Sequence, residues 1–308
     1  EYKMITYLKK TVKNTEFKVI ERFEPGCWIN VTNPSEDEIS FLEEAFKLDK
    51  QNLISGLDKN EVPRVEFSDT EEETYIILKI ITSTIKKDLD TFLITITEKF
   101  ILTLSRQEPD FIKKILQGKV EFITTQKLKC LLKLFSLINK DFERSTLDVV
   151  KLVNSKRELI SDLTEKDLNL LLEQEDILNR FISAYYHSNL VYERVIKNIK
   201  FFEEDKEIIE DLMIEIQQDL NLCKSSLKTI SNIRDHLIIS LSNKLNKVIT
   251  LLTTFTLFMT IPAALSGLYG MNVILPSQEN PLFFYYLISI ILVLWVVIIV
   301  FLKKKKFL

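Results

Sequence analysis

Between two long charge-free stretches the chain carries Tyr269-Gly270-Met271-Asn272. The Asn272 side-chain oxygen and the Gly270 carbonyl are neutral acceptors, and a residue without a Cβ allows close backbone approach and a turn out of a helix. Such a set can hold a polar or solvated cargo through hydrogen bonds. It offers no nucleophile and no acid for covalent work. Elsewhere the residue types of catalysis are scattered: no nucleophile–base pair, acid dyad or HExxH motif is visible, and His187 and His236 each stand alone as helix-face histidines. Cys27, Cys130 and Cys223 are odd in number and in no metal-ligand spacing, which fits packing residues in a reducing compartment. The five glycines, Gly26, Gly56, Gly118, Gly267 and Gly270, cannot assemble a phosphate-cradling loop or a dinucleotide turn. An enzyme, an ATP-driven pump and a bound organic cofactor are all disfavoured on these grounds.

A second polar set lies upstream. At 100° per residue, Asp235, Ile239, Ser242, Asn246, Ile249, Thr253, Thr256, Thr260, Ala263 and Gly267 share an arc of roughly 120° on one helix. Small and hydroxylated residues in such a stripe serve either close helix–helix packing or the lining of a pore around a symmetry axis. Spacing alone favours packing.

The elements that must position these residues are membrane spans. Val248 to Leu268 and Leu282 to Leu302 are uncharged, and at about 1.5 Å per residue each crosses a hydrocarbon core of about 30 Å. Between Val248 and Leu302 the only charge is Glu279, so the net charge of −3 averages a charged part with a neutral one and implies no nucleic-acid partner. Lys244 and Lys247 precede the first span and Lys303 to Lys306 follow the second, while the intervening loop has no Lys or Arg. The positive-inside rule then puts both termini on the cytoplasmic side of a multi-pass cell-membrane protein. Glu1 to Lys10 lacks the apolar region of a signal peptide, which agrees with a cytoplasmic N-terminal part.

Residues 1–125 read as a cytoplasmic α/β domain. Phe17 to Phe23, Cys27 to Val31, Thr74 to Thr82, Thr91 to Thr97 and Phe100 to Leu104 have strand composition, the last two joined by a tight Glu98-Lys99 turn. Ser35-Glu36-Asp37-Glu38 forms a capping box that opens a helix with Ile39, Leu42 and Phe46 on its apolar face. Residues 126–202 carry helical periodicity, with Leu128, Leu131, Leu132, Phe135 and Ile138 in one stripe and a further helix over Leu163 to Val195. Neither Pro nor Gly interrupts Asp205 to Ile261, so one helix of about 85 Å can enter the membrane without a break. Leu220, Cys223, Leu227, Ile230, Leu237, Leu241, Leu245, Val248 and Leu252 give it a coiled-coil-like seam, broken once where Arg234 stands, which calls for partner helices. The resulting division is a stalk helix over 203–247, spans over 248–268 and 282–302 with a signature and extracellular loop over 269–281, and a basic tail over 303–308.

Tyr269-Gly270-Met271-Asn272 in this C-terminal context resembles the signature of the CorA family of divalent-cation channels. Ser242-Asn243-Lys244-Leu245-Asn246-Lys247-Val248 is similar to the family's stalk-to-membrane junction. Cys27-Trp28-Ile29-Asn30, Asn33-Pro34 and Val62-Pro63-Arg64-Val65-Glu66 are similar to its N-terminal domain, so the resemblance covers nearly the whole chain.

The resemblance implies an α+β cytoplasmic domain, a long stalk helix and two transmembrane helices, assembled as a homopentameric funnel-shaped channel in the lipid bilayer. It implies passive influx of Mg²⁺, with Co²⁺ and Ni²⁺ as further candidates. Gly270, Met271 and Asn272 become the selectivity filter, and Asp235, Asn246, Ile249, Leu252 and Thr260 the pore lining, beside Thr253 and Thr256 of the polar face. Relatives often carry Met where Ile249 and Thr260 stand, and an acidic loop motif where this chain has Glu279. Mg²⁺ sheds its water reluctantly, and no carboxylate lies between Val248 and Gln278, so the ion is expected to pass hydrated, through a gate at Leu252 and Ile249. Regulatory Mg²⁺ bound between cytoplasmic domains is expected at Asp211, with Asp88 or Asp90 of a neighbouring subunit, and Lys303, Lys304, Lys305 and Lys306 form a basic collar. The alternatives are a Zn²⁺ transporter of the same superfamily, which typically replaces the signature Met, and a membrane-anchored scaffold or sensor.

Overall fold

Seven strands form one mixed sheet in the order β2-β1-β3-β7-β6-β5-β4. They are β1 (Ile5–Lys9), β2 (Lys18–Ile20), β3 (Cys27–Thr32), β4 (Arg64–Phe67), β5 (Glu73–Ser83), β6 (Asp88–Thr97) and β7 (Phe100–Ser105). This computed structural model describes residues 4–14, 16–68, 73–83, 87–158, 164–273, 276, 280 and 282–304. The β3–β7 ladder is parallel and every other pairing is antiparallel. The parallel pair arises because the chain leaves β3, builds α1 (Glu36–Phe46), α2 (Lys50–Ser55) and three strands, and only then returns.

Both faces of the sheet are covered, which explains why β7 is a run of six buried residues rather than an alternating one. On one face Cys27, Ile29, Val31, Leu93, Leu102 and Leu104 pack with Leu42 of α1 and Leu53 of α2. On the other, Trp28 lies 4.9 Å from Phe122 between ring centroids and donates its indole N–H to Thr103 Oγ1 at 2.8 Å. The capping box forms as the sequence requires: Glu38 N–H donates to Ser35 Oγ and Ser35 N–H to the Glu38 carboxylate. Thr97 Oγ1 accepts from Phe100 N–H across the Glu98-Lys99 turn. Four short elements add to those read from composition, namely β1, β4, α2 and α3 (Asp110–Leu116), and β6 begins three residues before Thr91, at Asp88.

Then come α4 (Lys127–Glu158), α5 (Glu165–Asn198), α6 (Glu203–Tyr269) and α7 (Phe283–Lys304). By contacts the chain divides into two compact units, Glu1–Ile233 and Arg234–Leu308. In the first, a polar seam joins three helices. Tyr185 of α5 donates its hydroxyl to Asp219 Oδ2 of α6 at 3.0 Å, which leaves Thr146 of α4 to donate to Tyr185 at 3.0 Å. Asn139 of α4 accepts from Tyr192 and donates to the Leu212 carbonyl. All three cysteines are free and buried, and burial pushes the Cys130 thiol up to about 12 and the Cys223 thiol to about 11, so they pack rather than react.

Burial, reinforced by the neighbouring Glu143 and Glu215 carboxylates, raises Asp219 to about 6 against the Tyr185 hydrogen bond, which lowers it. The folded state therefore holds this proton more tightly than the unfolded chain. The associated stability is fully present below the ordinary carboxylate range and is lost as pH rises through about 6. Asp219→Asn is expected to raise the thermal midpoint at pH 7.5 by a few degrees and to flatten the difference from the parent near pH 4.5. Differential scanning calorimetry of both proteins across that range checks the sign; an equal gain at both pH values would contradict it.

Candidate functional site

The second unit is built on α6 beyond Ile233 and on α7. Both helices are long and apolar enough to cross a membrane. Below residue 234 the seam of α6 is buried at Leu220, Cys223 and Ile230 and half-buried at Leu227 within its own chain. Above it, Leu241, Leu245, Val248 and Leu252 are each more than 60% exposed, so among the described residues of one chain the same seam is left open.

The residues of the polar stripe stand where the periodicity puts them. Asp235, Asn246, Ile249, Thr253, Thr256 and Thr260 all lie on α6 and all are exposed, as is Leu252 of the seam beside them. Thr256 Oγ1 donates to the Leu252 carbonyl at 2.9 Å and Thr260 Oγ1 to the Thr256 carbonyl at 2.7 Å, while Thr250 does the same to Asn246. Each hydroxyl proton is thereby directed down the helix, and the oxygen faces outward with lone pairs only.

At the top of α6, Gly270 N–H donates to the Ser266 carbonyl at 2.8 Å, and the helix ends. A Cβ on Gly270 would stand 2.9 Å from that same oxygen, which explains the residue. Met271 and Asn272 follow and are exposed. Tyr269 packs against Phe283 of α7, ring centroids 5.1 Å apart, and Asn280 Oδ1 accepts from Leu282 N–H at 3.0 Å just before α7 begins. Lys303 and Lys304 close α7 and are exposed, whereas Lys305, Lys306 and Glu279 lie outside the described residues.

The membrane helix does not stop at Ile261. It runs through Pro262 to Tyr269. A proline has no N–H for the carbonyl four residues back, and that carbonyl, on Phe258, accepts the indole N–H of Trp295 from α7 at 3.0 Å. Sequence reasoning passed over Trp295. The signal that could have found it was a helix-interior proline opposite a tryptophan in the middle of the other span.

The three acids considered for regulation are not brought together in one chain. Asp211 is exposed on α6. Asp88, at the start of β6, is 3.8 Å from Arg180. Asp90 is 4% exposed, Arg106 grips both its oxygens at 3.0 to 3.2 Å, and Oδ1 also accepts Thr91 N–H. A cation would have to displace a bidentate guanidinium from a buried carboxylate, so Asp90 is a structural anchor. Among the described residues no three His, Cys, Asp or Glu side chains gather in a metal-binding group.

A model of the CorA-like Mg²⁺ transporter protein family matches residues 24–304. The chain is 26% identical over 270 residues to the cobalt/magnesium transport protein CorA of Methanocaldococcus jannaschii, 82% of each being covered. Its fold is similar to the complete structure of the CorA magnesium transporter from the same organism, with a TM-score of 0.84, 19% identity and 99% of each chain covered. It is also similar to the ZntB cytoplasmic domain from Vibrio parahaemolyticus, with a TM-score of 0.64 and 12% identity over 78% of this chain and 98% of that one.

The contact at Gly270 yields a direct test of the turn. Gly270→Ala is expected to destabilise the detergent-solubilised protein by roughly 1 to 2 kcal/mol through the clash with the Ser266 carbonyl. Gly267→Ala, whose Cβ meets nothing within 4 Å in the single chain, is the control; thermal unfolding of both variants decides the comparison.

Proposed function

The chain belongs to the family of CorA-like Mg²⁺ transporter proteins, and from that premise we propose that it is a passive Mg²⁺ influx channel of the cell membrane, driven by the membrane potential. Co²⁺ and Ni²⁺ are further cargoes of the same reading. The observation that carries it is the exposed face of α6, where threonine oxygens with committed protons stand in line with Asn246 below and the Gly270–Asn272 turn above. The waters around Mg²⁺ turn their hydrogens outward and need acceptors. Asn272 and the Gly270 carbonyl offer them at the mouth, and Thr253, Thr256 and Thr260 below it, so the ion keeps its shell and no carboxylate is required. Ile249 and Leu252 form the apolar constriction that gates by dewetting. Inward movement gains about 4.6 kcal/mol per 100 mV for a divalent ion, so neither a nucleotide nor catalysis is needed.

Such a face is useful only around an axis, and in our reading five copies supply it, their exposed Leu241, Leu245 and Val248 packing against neighbouring helices. Both termini are cytoplasmic. Asp235 lines the inner end of the pathway, Glu279 makes an acidic ring outside, and Lys303 to Lys306 form the inner collar. The zinc alternative gains nothing from Met271, which is retained in this signature. Replacing Asn272 by Ala is expected to reduce Mg²⁺ influx into proteoliposomes to that of protein-free vesicles. Influx equal to the parent's would sink the channel reading and favour a membrane-anchored scaffold or sensor.

For regulation, the reading keeps Asp211 as a ligand to intracellular Mg²⁺ and takes Asp88 of an adjacent subunit as its partner. Asp211→Ala is expected to raise the Mg²⁺ concentration for half-protection against proteolysis roughly tenfold, about one lost charge-assisted contact. Asp90→Ala is expected to lower thermal stability whether or not Mg²⁺ is present. Identical protection curves for the Asp211 variant and the parent would remove that residue from the mechanism.

A further inference from the structure

The contact between Trp295 and Phe258 joins two groups that neither helix can satisfy alone. Pro262 withholds the N–H that the Phe258 carbonyl would otherwise accept. Trp295 stands inside α7 among Leu, Val and Ile, and its indole N–H is a donor without acceptor function. In hydrocarbon each would be stranded, and water is not there to relieve either. They meet at 3.0 Å, with the Phe258 ring edge-on to the indole, 5.7 Å between centroids and 61° between planes. Beyond this junction α6 has only Ala263 to Tyr269 left before the Gly270 turn. That segment is tied to α7 again by Tyr269 against Phe283.

We infer that Trp295 is a positioning residue for ion entry: by taking the carbonyl that Pro262 strands, it fixes the direction in which the last two turns of α6 carry Gly270, Met271 and Asn272. Trp295 touches no ion. It acts through Phe258 and Pro262, so α7 is a strut for the mouth as well as a span. The pairing also explains how a proline persists in the interior of a membrane helix that remains a helix on both sides of it.

The consequence for ion entry rests on the transport reading; the hydrogen bond itself does not. Trp295→Phe keeps an aromatic ring against Phe258 and removes only the donor. It is expected to raise the half-saturating Mg²⁺ concentration for influx about tenfold, the size of one buried acceptor left unsatisfied. Adding Pro262→Ala restores a backbone N–H to the Phe258 carbonyl, so the double variant is expected to return to within about twofold of the parent. A merely space-filling tryptophan gives no such rescue. A Trp295→Phe channel indistinguishable from the parent, or a double variant as impaired as the single one, overturns the inference. The second arm is fluorescence, isolating Trp295 by subtracting the spectrum of the matching Trp295→Phe protein. Its emission is expected to move to shorter wavelength in Pro262→Ala, where the carbonyl has another donor, and an unchanged emission overturns the hydrogen bond as the link. If the parent itself passes no Mg²⁺, the transport reading fails and the emission arm alone decides the pairing.

Discussion

A lipid bilayer offers no hydrogen bonds to a polypeptide, and the C-terminal unit of this chain is shaped by that refusal. The backbone from Val248 to Tyr269 is helical, threonine hydroxyls turn back onto carbonyls of the same helix, and the carbonyl released by Pro262 is met by a side chain from α7. Much of the polarity left over falls on one face of α6 and on the turn at its end. The rest of that helix surface is largely Leu, Phe and Ile, and in the transport reading this separates a face for solvated cargo from a face for lipid and neighbouring helices.

The first unit solves the opposite problem, that of ordering a charged chain in water. Its sheet is covered on both sides, and its helices are registered by polar groups that find each other across the packing: Thr146, Tyr185 and Asp219 in one place, Asn139, Tyr192 and the Leu212 carbonyl in another. Buried polar groups of this kind admit few alternative alignments, because a slip of one residue leaves several of them unpaired. Arg106 and Asp90 do the same at the edge of β6.

Much of the architecture was legible because the signals were local or periodic. The Ser35–Glu38 cap, the hairpin at Glu98-Lys99, the long α6 and the two charge-free spans each follow from residues a few positions apart. The stripe from Asp235 to Gly267 was legible as a face, though composition could not say whether it packs or conducts. What escaped was set at a distance. β4 is only Arg64-Val65-Glu66-Phe67 and is held as a strand by pairing with β5. The β3–β7 ladder joins segments separated by three other strands, and Asp90 looked like a free acid because Arg106 lies on another strand's end. Trp295 was invisible for the same reason, since its partner is a carbonyl, which no sequence displays.

The threonine hydroxyls of α6 carry one more implication. Water around a cation presents hydrogens to its surroundings, whereas water around an anion presents oxygens. With their protons already given to the carbonyls one turn below, Thr256 and Thr260 can greet the first kind of shell and not the second. In the transport reading, a surface of this sort would sort solvated ions by the orientation of their water, with no fixed charge of its own. Salt has nothing there to screen and pH nothing to titrate, so discrimination by sign at that level would be as steady in a dilute medium as in a concentrated one.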